Sequence, residues 1–396
     1  MIQQADVYKG EQLAGLLQRF DDRVEFAYRP DYDGEPVAST LPVTDQPTVA
    51  PAGQLPPFFT GLLPEGRRLS ALTRALKVSA DDELSLLLAV GADTIGDVRV
   101  VPSGTDPVAP APIVDDPDWD EVDLADLFNR SLGATFDRIA IPGIQPKVSG
   151  RMVSFPAVGA TGPVIVKLDP PEYAMLTANE ASMLEVAEQA GGLDVPDRRL
   201  VRDSRKTAGL IVSRFDRVVA DDGIRRLAVE DGCQVAGRYP ADKYNLDTVD
   251  VIAALARQCA APPVARLQLL GRFLISYLVG DGDLHARNMA VWKAPSGLWE
   301  PAPVYDLVCT AAYGDMTLAA PLSGSVGVHE LGRRRFLAVA GELDVPSAAV
   351  ERMLDERVPS IARHVDAALD GPTFAGFGSL ARVKRFLARR ARRLVN

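Results

Sequence analysis

Apolar and polar positions alternate with a period of two through residues 1 to about 50, as in Asp6-Val7-Tyr8 and Arg23-Val24-Glu25-Phe26-Ala27-Tyr28. That alternation predicts short antiparallel strands, with a turn at Asp31-Tyr32-Asp33-Gly34. The period then lengthens. Pro56 to Gly66 opens a helical section in which Leu69, Leu72, Leu76 and Val78 recur at helical spacing, followed by Leu84, Leu86, Leu87 and Leu88. Phe58 and Phe59 read as core. Gly96 to Pro102 predicts a closing strand.

Ser103 to Asp118 is rich in Pro, Asp and Ala and is expected to be an extended linker. A short amphipathic helix (Leu124, Leu127, Phe128, Leu132) comes next, then strands at Met152 to Phe155 and Val164 to Leu168. Asn179 to Ala190 predicts a helix that Asn179 could cap. Gly209 to Arg217 reads as an apolar strand entering a polar stretch. From about residue 228 the pattern turns helical, with Val249 to Cys259 and Val264 to Val279 the strongest runs. The last stretch, Ser379 to Asn396, predicts a helix with Leu380, Val383, Leu387 and Leu394 inward. Its Arg382, Lys384, Arg385, Arg389, Arg390, Arg392 and Arg393 are expected on a solvated face, with a basic docking patch as the second reading. The expected units are residues 1–102, a linker 103–118, a mixed unit 119–216 and a mainly helical unit 217–396.

Composition narrows the functional classes. The 396 residues are 47% hydrophobic and 24% charged, an ordinary globular balance with enough chain for several cores. A net charge of -10 argues against a nucleic-acid-binding surface over the whole protein. Cys233, Cys259 and Cys309 lack metal or disulfide spacing and fit buried thiols of a reducing cytosol. Only His285, His329 and His364 are present, too few for a multi-histidine zinc site. Neither a signal peptide nor a membrane-spanning run is expected, so the protein is expected to be cytoplasmic.

The candidate chemistry centres on Gly280-Asp281-Gly282-Asp283-Leu284-His285-Ala286-Arg287-Asn288, a polar turn between the apolar runs Phe273–Val279 and Met289–Trp292. Asp283 and Asn288 stand five positions apart, the Asp-x-x-x-x-Asn spacing of a kinase catalytic loop. A carboxylate there accepts a hydroxyl proton, and an amide oxygen is a neutral hard ligand for magnesium. The same residues also suit a surface turn. Asp306, 18 positions beyond Asn288, follows the apolar pair Val304-Tyr305 and could fill the second metal-ligand role. Lys167 lies within Val164-Ile165-Val166-Lys167-Leu168, where it faces either solvent or a cleft; Glu180, Glu185 and Glu188 are equally open as partners. Pro142-Gly143-Ile144-Gln145-Pro146-Lys147 could cover phosphates, but with one glycine it reads on pattern alone as a β-hairpin connection.

Taken in order, these motifs resemble the HipA family of toxin serine/threonine kinases over nearly the whole chain. Phe58 to Glu65 and Gly91 to Val98 look like the family's small N-terminal domain. Ile141 to Lys147 looks like its ATP-covering loop, and Val166-Lys167-Leu168, Asn179-Glu180 and Arg214 to Arg217 look like its N-lobe and hinge. Glu230 to Gln234 with Lys243-Tyr244 is similar to the start of its C-lobe, and Gly280 to Asn288 with Tyr305-Asp306 is similar to its catalytic and metal motifs.

The resemblance implies an α+β, bilobal protein-kinase-like fold, with a mixed N-lobe, a mainly helical C-lobe and an added small N-terminal α/β domain. It implies ATP and Mg²⁺ as cofactors. Asp283 would be the catalytic base, with His285 structuring its loop. Asn288 and Asp306 would hold the metal. Lys167, Pro142 to Lys147, Ser213, Arg214, Phe215 and Tyr305 would bind the nucleotide. Implied partners are a protein substrate such as an aminoacyl-tRNA synthetase and a helix-turn-helix antitoxin, with DNA reached only through the antitoxin and no membrane. One departure stands out. The family's autophosphorylated serine falls at Ala140, which has no hydroxyl to modify. The competing readings are a small-molecule phosphotransferase and a largely non-catalytic co-repressor subunit.

Overall fold

A computed structural model describes residues 3–108, 117–131, 153–160, 162–170, 172–221, 223–327 and 329–395. The expected phosphate-covering segment Pro142 to Lys147 and Ala140 lie outside these residues.

The period-two segments form a five-stranded antiparallel sheet: β1 (Gln4–Lys9), β2 (Gln12–Arg19), β3 (Arg23–Tyr28), β4 (Thr48–Pro51) and β5 (Val98–Pro102), in the order β4-β3-β2-β1-β5. Between β4 and β5 the chain makes α1 (Pro57–Thr60), α2 (Gly66–Leu76) and α3 (Glu83–Val90). Alternation puts Ala5, Val7, Leu17, Val24, Phe26 and Val100 on one face. Phe58, Phe59, Leu84, Leu86 and Leu87 close over it, with the Phe26 and Phe59 rings 5.1 Å apart. The start of the expected linker stays with this sheet: Ser103 Oγ and the Gly104 N–H both donate to Asp6. Trp119 already packs with the next unit.

That unit starts with α4 (Leu124–Ser131), whose Leu124 N–H donates to Asp203. Its sheet contains β6 (Val153–Gly159), β7 (Gly162–Leu168), β8 (Arg198–Arg202) and β9 (Ala208–Ser213), antiparallel in the order β6-β7-β9-β8. The long α5 (Leu176–Gln189) lies between β7 and β8 in sequence. Asn179 does not cap it. The helix begins a turn earlier, after Met175, and the carboxylate of Asp169 accepts from the Met175 and Thr177 N–H groups. An aspartate seven residues upstream of the helix start is invisible to a local capping rule.

A hairpin of β10 (Arg217–Ala220) and β11 (Gly223–Arg226) leads to the third unit. The expected onset of helix at 228 is corrected here. Val229–Asp231 is a strand, β12, paired with β13 (Ala290–Lys293), which also pairs with β14 (Trp299–Pro301). Three residues are too few to show a period, and the pairing partner is about sixty residues away. Then come α6 (Gly232–Val235), α7 (Thr248–Gln258), α8 (Pro262–Val279), α9 (Arg333–Glu342), α10 (Ser347–Leu369) and α11 (Leu380–Val395) around the largest core. Cys233, Cys259 and Cys309 are free and buried. Among the described residues no helix is long and apolar enough to cross a membrane.

On α11, Val383, Leu387 and Leu394 face inward as their spacing predicts, but so does Arg390. Its guanidinium donates to the Tyr277 carbonyl at 2.6 Å and lies over the Phe386 and Tyr277 rings. Arg390 is therefore not part of the solvated basic face.

The first domain is tied to the rest by a buried ion cluster. Asp93, just before β5, meets Arg214, Arg217 and Arg226 at 3.0, 3.0 and 3.1 Å. Asp216 sits between Arg214 and Arg217 at 3.0 and 2.7 Å and accepts the Gly96 N–H. Burial raises the Asp216 carboxyl, but the two guanidinium groups override it and hold it below the usual range. Asp216→Ala leaves two buried arginines short of a counter-charge. Denaturant unfolding of the full chain is expected to show a loss of about 3–5 kcal/mol, against little change for an exposed control such as Asp355→Ala.

Candidate active site

Lys167 settles on the cleft side. Val166 before it and Leu168 after it pack into the small apolar core under the sheet, so alternation turns Lys167 the other way. There its Nζ meets Glu180 Oε1 at 2.6 Å and forms a second ion pair with Asp306. Of the three candidate glutamates, Glu180 lies on the helix face that buries Met183, Leu184 and Ala187, whereas Glu185 and Glu188 face solvent. Burial alone would strip the Lys167 proton. The charges of Asp306 and Glu180 outweigh that and keep it an ammonium ion. Asp306 is held below its ordinary value by the same contact, against its own desolvation. Its backbone is left-handed, φ 49°.

The loop from Gly280 to Asn288 leaves the end of α8 through Gly280, at φ 79°. A Cβ there would come within 2.9 Å of the Leu387 side chain and 3.0 Å of Ala311, so both conformation and space call for glycine. Asp281 turns back under the loop. It accepts the Asp283 N–H at 2.8 Å and the Ser276 hydroxyl at 3.0 Å. Arg272, which donates to Ser276 Oγ, also donates to the Tyr305 carbonyl at 3.2 Å and so links the loop to the residue before Asp306. Burial pushes the Asp281 carboxyl up to about 7. Asn288 donates through Nδ2 to the Asp283 carbonyl at 3.0 Å, which leaves its amide oxygen as a ligand. Tyr305 donates to the Arg287 carbonyl at 2.8 Å.

Asp283 is buried, and its Oδ1 accepts the Tyr244 hydroxyl at 3.0 Å. Arg287 is the loop's anchor. Its Nε reaches Asp231 Oδ2 at 2.9 Å, its Nη1 pairs with Glu65 Oε1 at 2.8 Å, and its Nη2 donates to the Gly61 carbonyl at 2.6 Å. Gly61 and Glu65 belong to the first domain, so that domain forms one wall of the site.

Both domains of the chain match family models. Residues 5–101 match the HipA N-terminal domain and residues 139–365 the HipA-like C-terminal domain, more than half of the sequence. The chain belongs to the HipA family. It is 27% identical over 395 residues to the serine/threonine-protein kinase toxin HipA of Shewanella oneidensis, covering 92% of this chain and 88% of that one. It is 29% identical over 363 residues to a Sinorhizobium fredii protein provisionally named kinase Y4mE, covering 87% and 85%. The fold agrees with that of Shewanella HipA, solved with HipB and operator DNA, at a TM-score of 0.79 and 23% identity over 99% of this chain and 97% of that one.

Within this HipA fold the sequence-predicted residues divide into groups. Lys167 pairs with Asp306, Asn288 bonds to Asp283, and Tyr305, next to Asp306, ties the two pairs together through the Arg287 carbonyl; Phe215 stacks on Tyr305 at 6.1 Å, with Trp292 edge-on to Phe215. Ser213 ends β9, its N–H bonded to the Asp197 carbonyl. The guanidinium of Arg214 is engaged by Asp93 and Asp216, and its main-chain N–H donates to the Pro163 carbonyl. Asn179, read as a cap, instead brackets Cys309, donating to its carbonyl at 3.1 Å and accepting its N–H at 2.9 Å. It thereby fixes the chain just after Asp306. Sequence reasoning quoted Glu65, Asp231, Tyr244, Asp281 and Arg287 within motifs but gave them no role. Their adjacency to Asp283 and Asn288 within the nonapeptide was the available signal for Asp281 and Arg287. Glu65 had none.

His285 packs edge-on against Tyr244, ring centroids 5.1 Å apart. Burial, with Lys243 nearby, lowers its pKa to about 3, so it is neutral here. The unfolded chain then binds a proton below about pH 6.5 that the folded chain refuses until about pH 3. Stability contributed by the neutral ring is lost as pH falls through that window, at roughly 1.4 kcal/mol per pH unit. The wild type is expected to lose stability more steeply than His285→Gln between pH 6 and 4 in urea titrations; parallel curves would show that the ring titrates normally.

Proposed function

We propose that this chain is a toxin-type serine/threonine protein kinase that transfers the γ-phosphoryl group of ATP to a protein hydroxyl. The observation behind it is the convergence of Lys167, braced by Glu180, with Asp306, Asn288 and Asp283 between two lobes. Lys167, kept cationic, would contact the nucleotide phosphates, and Phe215 and Tyr305 would line the base pocket. The donor set suits magnesium. One carboxylate and one neutral amide oxygen leave the remaining positions to phosphate oxygens and water, and no group of three or more His, Cys, Asp or Glu able to hold a metal occurs among the described residues. Held by Asp306 and Asn288, such an ion would neutralise charge on the transferring group.

The chain's own residues do the rest. Asp283 accepts the proton of the substrate hydroxyl as its oxygen bonds to the γ-phosphorus. The bond from phosphorus to the β,γ-bridging oxygen breaks in line, and ADP leaves. Asn288, bonded to the Asp283 carbonyl, keeps metal ligand and base in register. Family membership supports an acceptor such as an aminoacyl-tRNA synthetase. It also supports a helix-turn-helix antitoxin through which the pair reaches DNA, as the Shewanella HipA was solved with HipB and operator DNA. A cytoplasmic setting suits the free buried thiols.

The test is transfer of label from γ-labelled ATP into lysate proteins by the full chain and by Asp283→Ala. A discrete labelled band seen only with Asp283, its rate reduced at least ~100-fold in the variant, is the expected result. Nucleotide binding without protein label would turn the reading toward a small-molecule phosphotransferase or a co-repressor subunit.

A further inference from the structure

The hydroxyl of Tyr244 is bonded to the residue read above as the base, and nothing in the mechanism so far uses it. The surrounding geometry shows how firmly that phenol is held. Its ring packs edge-on against His285 in the catalytic loop, centroids 5.1 Å apart. The Lys243 ammonium lies 5.2 Å from the ring centroid. The Lys243 carbonyl accepts the N–H of Ala286, tying segment and loop backbone together at 3.1 Å. Lys243 Nζ in turn reaches Glu65 Oε2 at 2.9 Å, while Glu65 Oε1 pairs with Arg287. One carboxylate of the N-terminal domain thus bridges the cation next to Tyr244 and the cation inside the catalytic loop.

The main chain around Asp283 is already fixed, its N–H by Asp281 and its carbonyl by Asn288. Its side-chain torsions are not fixed by those bonds. A donor on Oδ1 sets the plane of the carboxylate and directs its other oxygen. Burial, and then the Asp283 charge, keep the phenol protonated, so Tyr244 is a donor throughout.

We propose that Tyr244 is a positioning residue for Asp283, and that Glu65 of the N-terminal domain holds Tyr244 and the catalytic loop in register through Lys243 and Arg287. A base that must meet a hydroxyl within a few tenths of an ångström depends on such support. The N-terminal domain then acts on the rate of phosphoryl transfer without touching substrate. The inference rests on Asp283 being the base.

The experiment measures label incorporation from γ-labelled ATP into lysate protein against ATP concentration, for the wild type, Tyr244→Phe, Glu65→Gln, their double variant and Asp283→Asn. ATP affinity and thermal midpoint are measured alongside. Tyr244→Phe removes one oxygen and keeps the ring. The expected result is an apparent kcat lowered about tenfold, with KM for ATP and nucleotide affinity within about twofold. Glu65→Gln should lower kcat by a smaller factor, and the double variant should be slower than Tyr244→Phe by less than the Glu65→Gln factor, because part of the Glu65 effect passes through Tyr244. An unchanged kcat in Tyr244→Phe overturns the proposal. So does a raised kcat, which would make Tyr244 a plug in the hydroxyl's place, or a loss confined to KM or to the thermal midpoint. Full activity in Asp283→Asn would instead remove the base assignment itself, which the Tyr244 variants alone would not do.

Discussion

A guanidinium buried in the middle of the catalytic loop sets the terms for this structure. Arg287 sits between the candidate base and the candidate metal ligand in sequence, and its side chain is largely enclosed, 14% exposed. Burial would favour losing its proton, but Asp231 and Glu65 raise its pKa instead, so it stays charged. A buried charge is tolerable only with counter-charges in good geometry. Here they come from two places: Asp231, which caps α6 through its other oxygen, and Glu65 of the N-terminal domain. The loop can keep its shape only while both are docked. The domain that reads as an appendage in sequence is therefore part of the wall of the candidate site.

Lys167 poses the complementary problem. It shares its charge between Glu180 and Asp306, and the same Asp306 is the carboxylate available to a metal. The ammonium has three N–H donors, two of them on carboxylates, so phosphates approaching it compete with Glu180 and Asp306 for its charge. Binding of nucleotide phosphates, with a cation on Asp306, would transfer that carboxylate from ammonium to metal while Glu180, buried and helix-borne, retains the lysine. Glu180 is the more enclosed partner and Asp306 the more accessible one: the Glu180 side chain is 1% exposed and that of Asp306 43%.

What the sequence made legible was local. Period-two runs became β1 to β3, helical spacing became α2, α3, α7 and α8, and the polar nonapeptide became the loop after α8. Lys167, Asp283, Asn288 and Asp306 could be named because their residue types and order carry a chemical meaning. The misses share one cause. The choice of Glu180 over Glu185 and Glu188 depends on which helix face meets β7. The capping of α5 depends on Asp169 upstream of the helix. The inward turn of Arg390 depends on the Tyr277 carbonyl, 113 residues away. Arg214 was read for the hinge, yet its partner Asp93 lies 121 residues upstream. Each is a pairing across long sequence separation, which no local period encodes.

Those long pairings also fix which parts of the molecule can move. The N-terminal domain bonds to the C-lobe through Ser39 on Glu230, the Phe58 carbonyl on Gln234, Glu65 on Lys243 and Arg287, and Glu35 on Lys293. It bonds to the hinge through Asp93 on Arg214, Arg217 and Arg226. The Asp93 pairs to the hinge and the Glu65–Arg287 pair are half-buried or better, so separating them would leave unpaired charge in low dielectric, whereas the Glu35–Lys293 pair is exposed and adds little. Helix α5 belongs to the same block: its Met183, Leu184, Val186 and Ala187 pack in the C-lobe core, and Asn179 bonds to Cys309. The helix that carries Glu180 is thus fixed to the block that carries Asp306, and Lys167 on β7 is held between the two carboxylates.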